Sequence, residues 1–232
     1  MLNILILLLT GCHPDSDKLY IMEEDIQSEN TASSIKDVTN TNSGKELILV
    51  REQPDKETFH IDIGRLPILM SYLDQNEDSE LEISRFRSNY MFTHNHKDYF
   101  LVSYNCGTKL CNQLLVELDQ DEIKSFEVSE SSFLQGVKLN EGHSVFLFGR
   151  NEGTEVVRNQ VVIFNLDEFR KVLPPEQLRV LESFEYPITR IEWVDHKLRV
   201  DIADLEELTF ENVKKWNKNN EESIRELIWE FK

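Results

Sequence analysis

The chain has 232 residues, 40% of them apolar, with only 8 glycines and 6 prolines. That admits one sizeable domain or two small ones and excludes collagen-like and wholly disordered classes. A formal charge of −18, carried by 43 carboxylates against 25 Lys and Arg, repels nucleic acid and anionic headgroups; it suits cationic partners or divalent ions, or simply keeps the protein soluble.

The N-terminus reads MLNILILLLTGCHPDSDK. Leu2 to Leu9 is almost unbroken hydrocarbon, yet far short of the ~20 apolar residues that span a bilayer. It reads as the apolar region of a signal peptide over residues 1–11. Leu9-Thr10-Gly11-Cys12 resembles the lipobox of bacterial lipoproteins, in which small residues precede the cut made by the family's signal peptidase and the cysteine becomes the lipidated first residue. The resemblance covers these residues only and implies a processing class, not a fold. Met1-Leu2-Asn3 carries no positive side chain, a departure from the family pattern that a start codon further upstream would explain.

The resemblance implies palmitate-type acyl chains on Cys12 as the contact with membrane, and an address in the bacterial cell envelope. Each buried CH₂ of such chains contributes ~0.8 kcal/mol, so two or more anchor stably. His13 following the cysteine is compatible with outer-membrane sorting in a two-membrane host.

Residues 12–45 form the expected lipidated cysteine and tether. The stretch is rich in Ser, Thr, Asn and Asp and too poor in apolar residues to offset the entropy of ordering. A coil of that length spans ~30 Å on average. Leu19-Tyr20-Ile21-Met22 is its one apolar patch and could dock or form a short strand.

From Glu46 to Lys232 the pattern predicts an acidic β-rich domain. The runs ELILV, TFHIDI, NYMFT, YFLVSY, QLLVEL, SVFLFG, QVVIFNL, RIEWV and LRVDI are short, strand-like and separated by turn chemistry such as HNHKD, NEGHS and VDHK. No connection before the last third looks helical. The expectation is a mainly β, antiparallel meander or sandwich, with a propeller-like arrangement as the alternative.

Within this region Cys106 and Cys111 flank GTKL, a turn between strand-like runs. With Cys12 assigned to lipid, the even remainder in an exported protein reads as one disulfide, facing across a hairpin. A zinc site wants four ligands and finds no second cysteine pair, a redox motif wants C-x-x-C beside βαβ, and a cysteine nucleophile has no arrangement in its favour.

A weak repeat runs through the same segment. YFLVSYNCGT from Tyr99 matches VFLFGRNEGT from Val145, and NQLLVELD from Asn112 matches NQVVIFNLD from Asn159. Each copy is a strand, a turn with Asn-x-Gly-Thr, and a strand opening on Asn-Gln; IEWVDHKLRVDI is a partial third copy. The alignment places His96, His143 and His196 at or beside hairpin tips. His94 and His96 flank one tip and point different ways, so no metal is expected there.

The last third changes register. Pro175 suits a first helical position ahead of Leu178, Val180 and Leu181. A C-terminal amphipathic helix is expected with Asn220 as cap, Glu221 and Glu222 at its positive end, and a stripe of Ile224, Leu227, Ile228 and Phe231. Trp229 lies off that stripe.

Catalytic motifs are missing. Asp74, Asn76 and Asp78 begin a calcium-loop pattern, but Ser79 replaces its glycine and Arg85 its bidentate glutamate. Ser129 to Phe133 lacks the glycines of a nucleophile turn. Asp119, Asp121 and Glu122 pair only as an acidic composition makes carboxylates pair. No catalytic residue, metal site or cofactor is expected. The functional expectation is a lipid-anchored binding module whose partner is a cationic protein, as an inhibitor or immunity lipoprotein would take; a structural envelope component and a hydrolase without a recognisable motif are the alternatives.

Overall fold

A computed structural model describes residues 45–51, 56–120, 122–219 and 223–231. The signal-like run and Cys12 lie outside the described residues. The chain is mainly β, and among the described residues every strand pair is antiparallel.

Strands β1 (Glu46–Arg51) and β2 (Glu57–Asp62) form a hairpin. Two short helices follow, α1 (Pro67–Asp74) and α2 (Ser79–Ser84). They correct the expectation that no helix precedes the last third. Pro67 at the first turn fixes a helical φ, and Leu69 and Leu73, one turn apart, are buried beneath α1. The Asp78 carboxylate accepts from the Leu81 amide, so this member of the calcium-like pattern caps α2.

Next come β3 (Arg87–His94), β4 (Lys97–Tyr104), β5 (Cys111–Asp119), β6 (Glu122–Asn140), β7 (His143–Glu152), β8 (Val156–Asn165) and β9 (Arg170–Val172). Each pairs with its neighbour in sequence. The 19-residue β6 changes partner midway: it pairs β5 as far as Ser132 and β7 from Phe133 onward. A 3₁₀ segment, Glu176–Glu182, then buries Leu178 and Leu181, and β10 (Ile188–Val194), β11 (Lys197–Ala203) and β12 (Ile224–Glu230) form a separate three-stranded sheet.

The C-terminal expectation is corrected in position. The amphipathic helix is α3 (Phe210–Lys218), capped by Thr209 and burying Val213 and Trp216. Ile224 to Glu230 is a strand instead, paired along its whole length with β11. Leu227, Trp229 and Phe231 alternate toward the core while Ile224 and Ile228 stay exposed. Asn220, Glu221 and Glu222 lie outside the described residues.

Three apolar clusters hold the layers together. The first joins Leu47, Leu49, Ile61, Leu69 and Leu73 to Phe100, Val102, Leu114 and Val116. A second joins the opposite face of β4 and β5, through Tyr99, Leu101 and Leu115, to Phe146, Phe148, Val162 and Phe164. The third joins Val145, Val161 and Ile163 to Ile191, Leu198, Val200 and Trp229. Strands β4, β5, β7 and β8 are therefore buried on both faces, which is why they read as nearly continuous apolar runs.

The repeat reappears as geometry. Asn95-His96, Glu141-Gly142 and Asp195-His196 are two-residue turns joining β3 to β4, β6 to β7 and β10 to β11. All three hold positive φ at both positions (49° and 65°, 40° and 79°, 47° and 62°), the signature of hairpin turns whose twist matches the strands. At Gly142, where the other two turns carry His96 and His196, a Cβ would lie 2.7 Å from an Asp167 carboxylate oxygen, so a side chain there would require the Asp167 carboxylate to move.

Candidate functional site

The Asn-Gln pairs that open the second strand of each repeat have matching jobs. Asn112 Oδ1 accepts the Ser131 amide at 3.2 Å, and Asn159 Oδ1 accepts the Ile188 amide at 2.7 Å. Gln113 Nε2 donates to the Ser132 carbonyl at 3.1 Å, and Gln160 Nε2 to the Glu182 carbonyl at 2.7 Å. Their carboxamide oxygens accept from Ser103 and Ser129 in turn. Each pair thus pins the segment by which the chain passes into the next sheet.

The first of these joints is the more strained. Ser131 holds φ +45° inside β6, a region that costs a non-glycine residue free energy. Besides the Asn112 bond, Arg150 donates to the carbonyls of Ser131 (3.0 Å) and Glu130 (2.8 Å), with its guanidinium 4.0 Å over the Phe184 ring. Of the Ser129–Phe133 run, Ser132 is held in this joint through its carbonyl, while the Ser129 hydroxyl reaches across to Gln160 of the second.

Cys106 and Cys111 stand beside it at disulfide-bonding distance, their Cα atoms 4.1 Å apart. They do not face each other across a rung, as the hairpin expectation had it. The β4–β5 ladder ends at Tyr104 and Asn112, so the bond closes the loop beyond it, together with a 2.8 Å hydrogen bond from the Gly107 amide to the Leu110 carbonyl. By the repeat alignment Cys106 corresponds to Glu152 and Cys111 to Arg158. Those two side chains form an ion pair, Nε to Oε2 at 2.6 Å. The alignment thus sets a covalent tie beside an ionic one, although the ladders differ: Glu152 and Arg158 lie within the β7–β8 ladder, whereas the cysteines lie beyond the end of β4–β5.

Asn112 also belongs to an acid–phenol cluster with Tyr104 and Glu127. The buried Tyr104 hydroxyl donates to Glu127, as does Asn112 Nδ2 at 3.3 Å. Burial pushes the Glu127 carboxyl above the usual carboxylate range; the hydrogen bonds from Tyr104 and Asn112 oppose this, and the Glu130 charge adds to it. Tyr104 is raised by burial first and by its bond to Glu127 second. Tyr72, whose ring centroid is 5.4 Å from that of Tyr104, donates to Glu82, and its hydroxyl is pushed up to about 12, mainly by burial. Chemically the cluster can hold a proton at Glu127. Sequence reasoning passed over this residue because β6, with polar residues throughout, does not read as a strand.

Two further buried carboxylates are neutralised locally. Glu117, 1% exposed, accepts from Tyr99 at 2.5 Å and pairs with Lys97 and Lys124 at 3.3 Å each. Asp98 pairs with Arg51 and accepts from Thr93, both at 2.5 Å. Asp119 lies 3.6 Å from Lys97.

At the hairpin tips, His94 lies 3.3 Å from Asp167, and His196 2.9 Å from Glu141; the His143 ring packs on Phe231. Among the described residues no three His, Cys, Asp or Glu side chains come together so as to hold a metal ion. Compared with protein-family models, with curated proteins and with solved structures, the chain matches none.

Proposed function

We propose that the chain is an exported lipoprotein, held to the cell envelope by acyl chains on Cys12, whose acidic β-rich domain acts by binding. The observation that carries this is a cysteine count. Of three cysteines in the sequence, Cys106 and Cys111 stand at disulfide-bonding distance, which leaves Cys12 single, at the end of the lipobox-like run. A disulfide persists in the oxidising compartments to which such a run would send the chain.

The partner is a cationic protein, as an inhibitor or immunity protein would capture a basic hydrolase or toxin. The net charge of −18 speeds such an encounter and makes it sensitive to salt. The sequential strand order and the clusters shared between neighbouring sheets support a β-meander folded into packed layers, with a propeller-like arrangement as the second reading.

Expression of the full chain in a bacterial host fed an alkyne-labelled palmitate tests the anchor. Label is expected on the wild type and not on a Cys12→Ser variant, with the mature protein beginning at Cys12 by mass spectrometry. An unlabelled protein retaining residues 1–11 would overturn the reading.

A further inference from the structure

We propose that the Cys106–Cys111 bond is a redox-sensitive lock on the joint where β6 leaves one sheet for the next, and that the second repeat performs the same task with the Glu152–Arg158 ion pair. The inference is independent of where the protein resides. It rests on three juxtapositions. Cys111 immediately precedes Asn112, whose side chain holds the Ser131 amide and reaches Glu127. Cys111 is itself paired with Ser132 in the β5–β6 ladder. In sequence Arg158 likewise immediately precedes Asn159, which holds the Ile188 amide, though Arg158 itself pairs with Arg150 inside the β7–β8 ladder.

The second tie is more than a side-chain pair. Arg158 also donates to the carbonyls of Glu185 (2.5 Å) and Leu208 (2.8 Å), so it fixes the incoming segment directly. Cysteine has no such reach. In the first repeat that task falls to Arg150, while the covalent bond fixes only the loop and, through Cys111, the position of Asn112.

A dithiol reductant would open the lock. The sulfur–sulfur bond breaks, each protein sulfur takes up one hydrogen, and the reductant's two sulfurs join in its own disulfide. With the loop untied, Asn112 loses its fixed position, and Ser131, in a left-handed conformation that it holds only under constraint, loses a hydrogen bond. The Asn159 joint contains no sulfur and stays closed.

That asymmetry supplies an internal control. Hydrogen exchange of the full chain, followed by mass spectrometry with and without dithiothreitol, reports on the Ser131 and Ile188 amides in separate peptides. Reduction is expected to speed exchange at Ser131 by about tenfold, the factor produced by ~1.4 kcal/mol of lost local stability, and to leave Ile188 unchanged. A Cys106→Ser/Cys111→Ser variant should show the same pattern without reductant. Transplanting the second repeat's tie, as Cys106→Glu/Cys111→Arg, should restore protection at Ser131 under reducing conditions and lose it again in high salt. Unchanged exchange at Ser131 on reduction would overturn the proposal, as would equal acceleration at both joints, or a folded transplant that leaves Ser131 unprotected.

Discussion

Glu127 does not behave as an ordinary surface glutamate. Its carboxyl is raised by burial and by Glu130, so the folded chain holds a proton there more firmly than the unfolded chain does. The sign follows from linkage: the contribution to stability is fully present below the ordinary glutamate pKa of about 4.3 and is lost as pH rises through the higher folded value. Glu127→Gln keeps an acceptor for Tyr104 and removes the charge. The variant is expected to melt at higher temperature than wild type near neutral pH and to converge with it in acid. A calorimetric series across pH checks this, and a variant less stable than wild type at neutral pH would contradict it. No sequence signal marks Glu127, because an inward-facing polar residue can be recognised only once the strand carrying it is recognised. Cys106 and Cys111 are the opposite case. Two cysteines five positions apart advertise themselves, although their place beyond the ladder depends on where that ladder ends.

The strands buried on both faces are the most legible elements, whereas helix α1 is not legible although Leu69 and Leu73 are fully buried. Strands β4, β5, β7 and β8, covered on both faces, carry the continuous branched and aromatic runs that the eye finds first. Strand β6 was missed because its sequence, EIKSFEVSESSFLQGVKLN, serves two ladders and a polar joint. The C-terminal segment misled for another reason: Ile224, Leu227, Ile228 and Phe231 fit a helical period while Leu227, Trp229 and Phe231 fit a strand period, and periodicity alone cannot choose between them. Pairing with β11 decides it. Trp229 is 4% exposed and stacks on Phe231, whereas Ile228 is 49% exposed. Trp229→Ala is therefore expected to cost about 3–5 kcal/mol in chemical denaturation, and Ile228→Ala no more than about 0.5 kcal/mol. A helix with Ile228 on its buried stripe would reverse that order.

At the scale of the whole molecule, three clusters in series mean that each sheet is stabilised by its immediate neighbours, as in repeat proteins, where stability is close to a sum of unit and interface contributions. The ends of such a series need faces that water accepts. The last sheet supplies one: Arg190 and Arg199 converge on Asp201, Arg199 also reaches Glu192 and Glu226, and Lys197 pairs with Glu230. On the first hairpin, Glu46 lies beside His60, and Ile48, the ladder partner of His60, is exposed. Units packed on one side open more readily than units packed on two. Native-state hydrogen exchange should rank the strands accordingly, with amides of β4, β5, β7 and β8 outlasting those of β2 and β12 by about tenfold or more, since each ~1.4 kcal/mol of difference in opening free energy is a factor of ten. Equal protection in β12 and β8 would show that the layers open as one cooperative unit, and the view of stability accumulating sheet by sheet would fail with it.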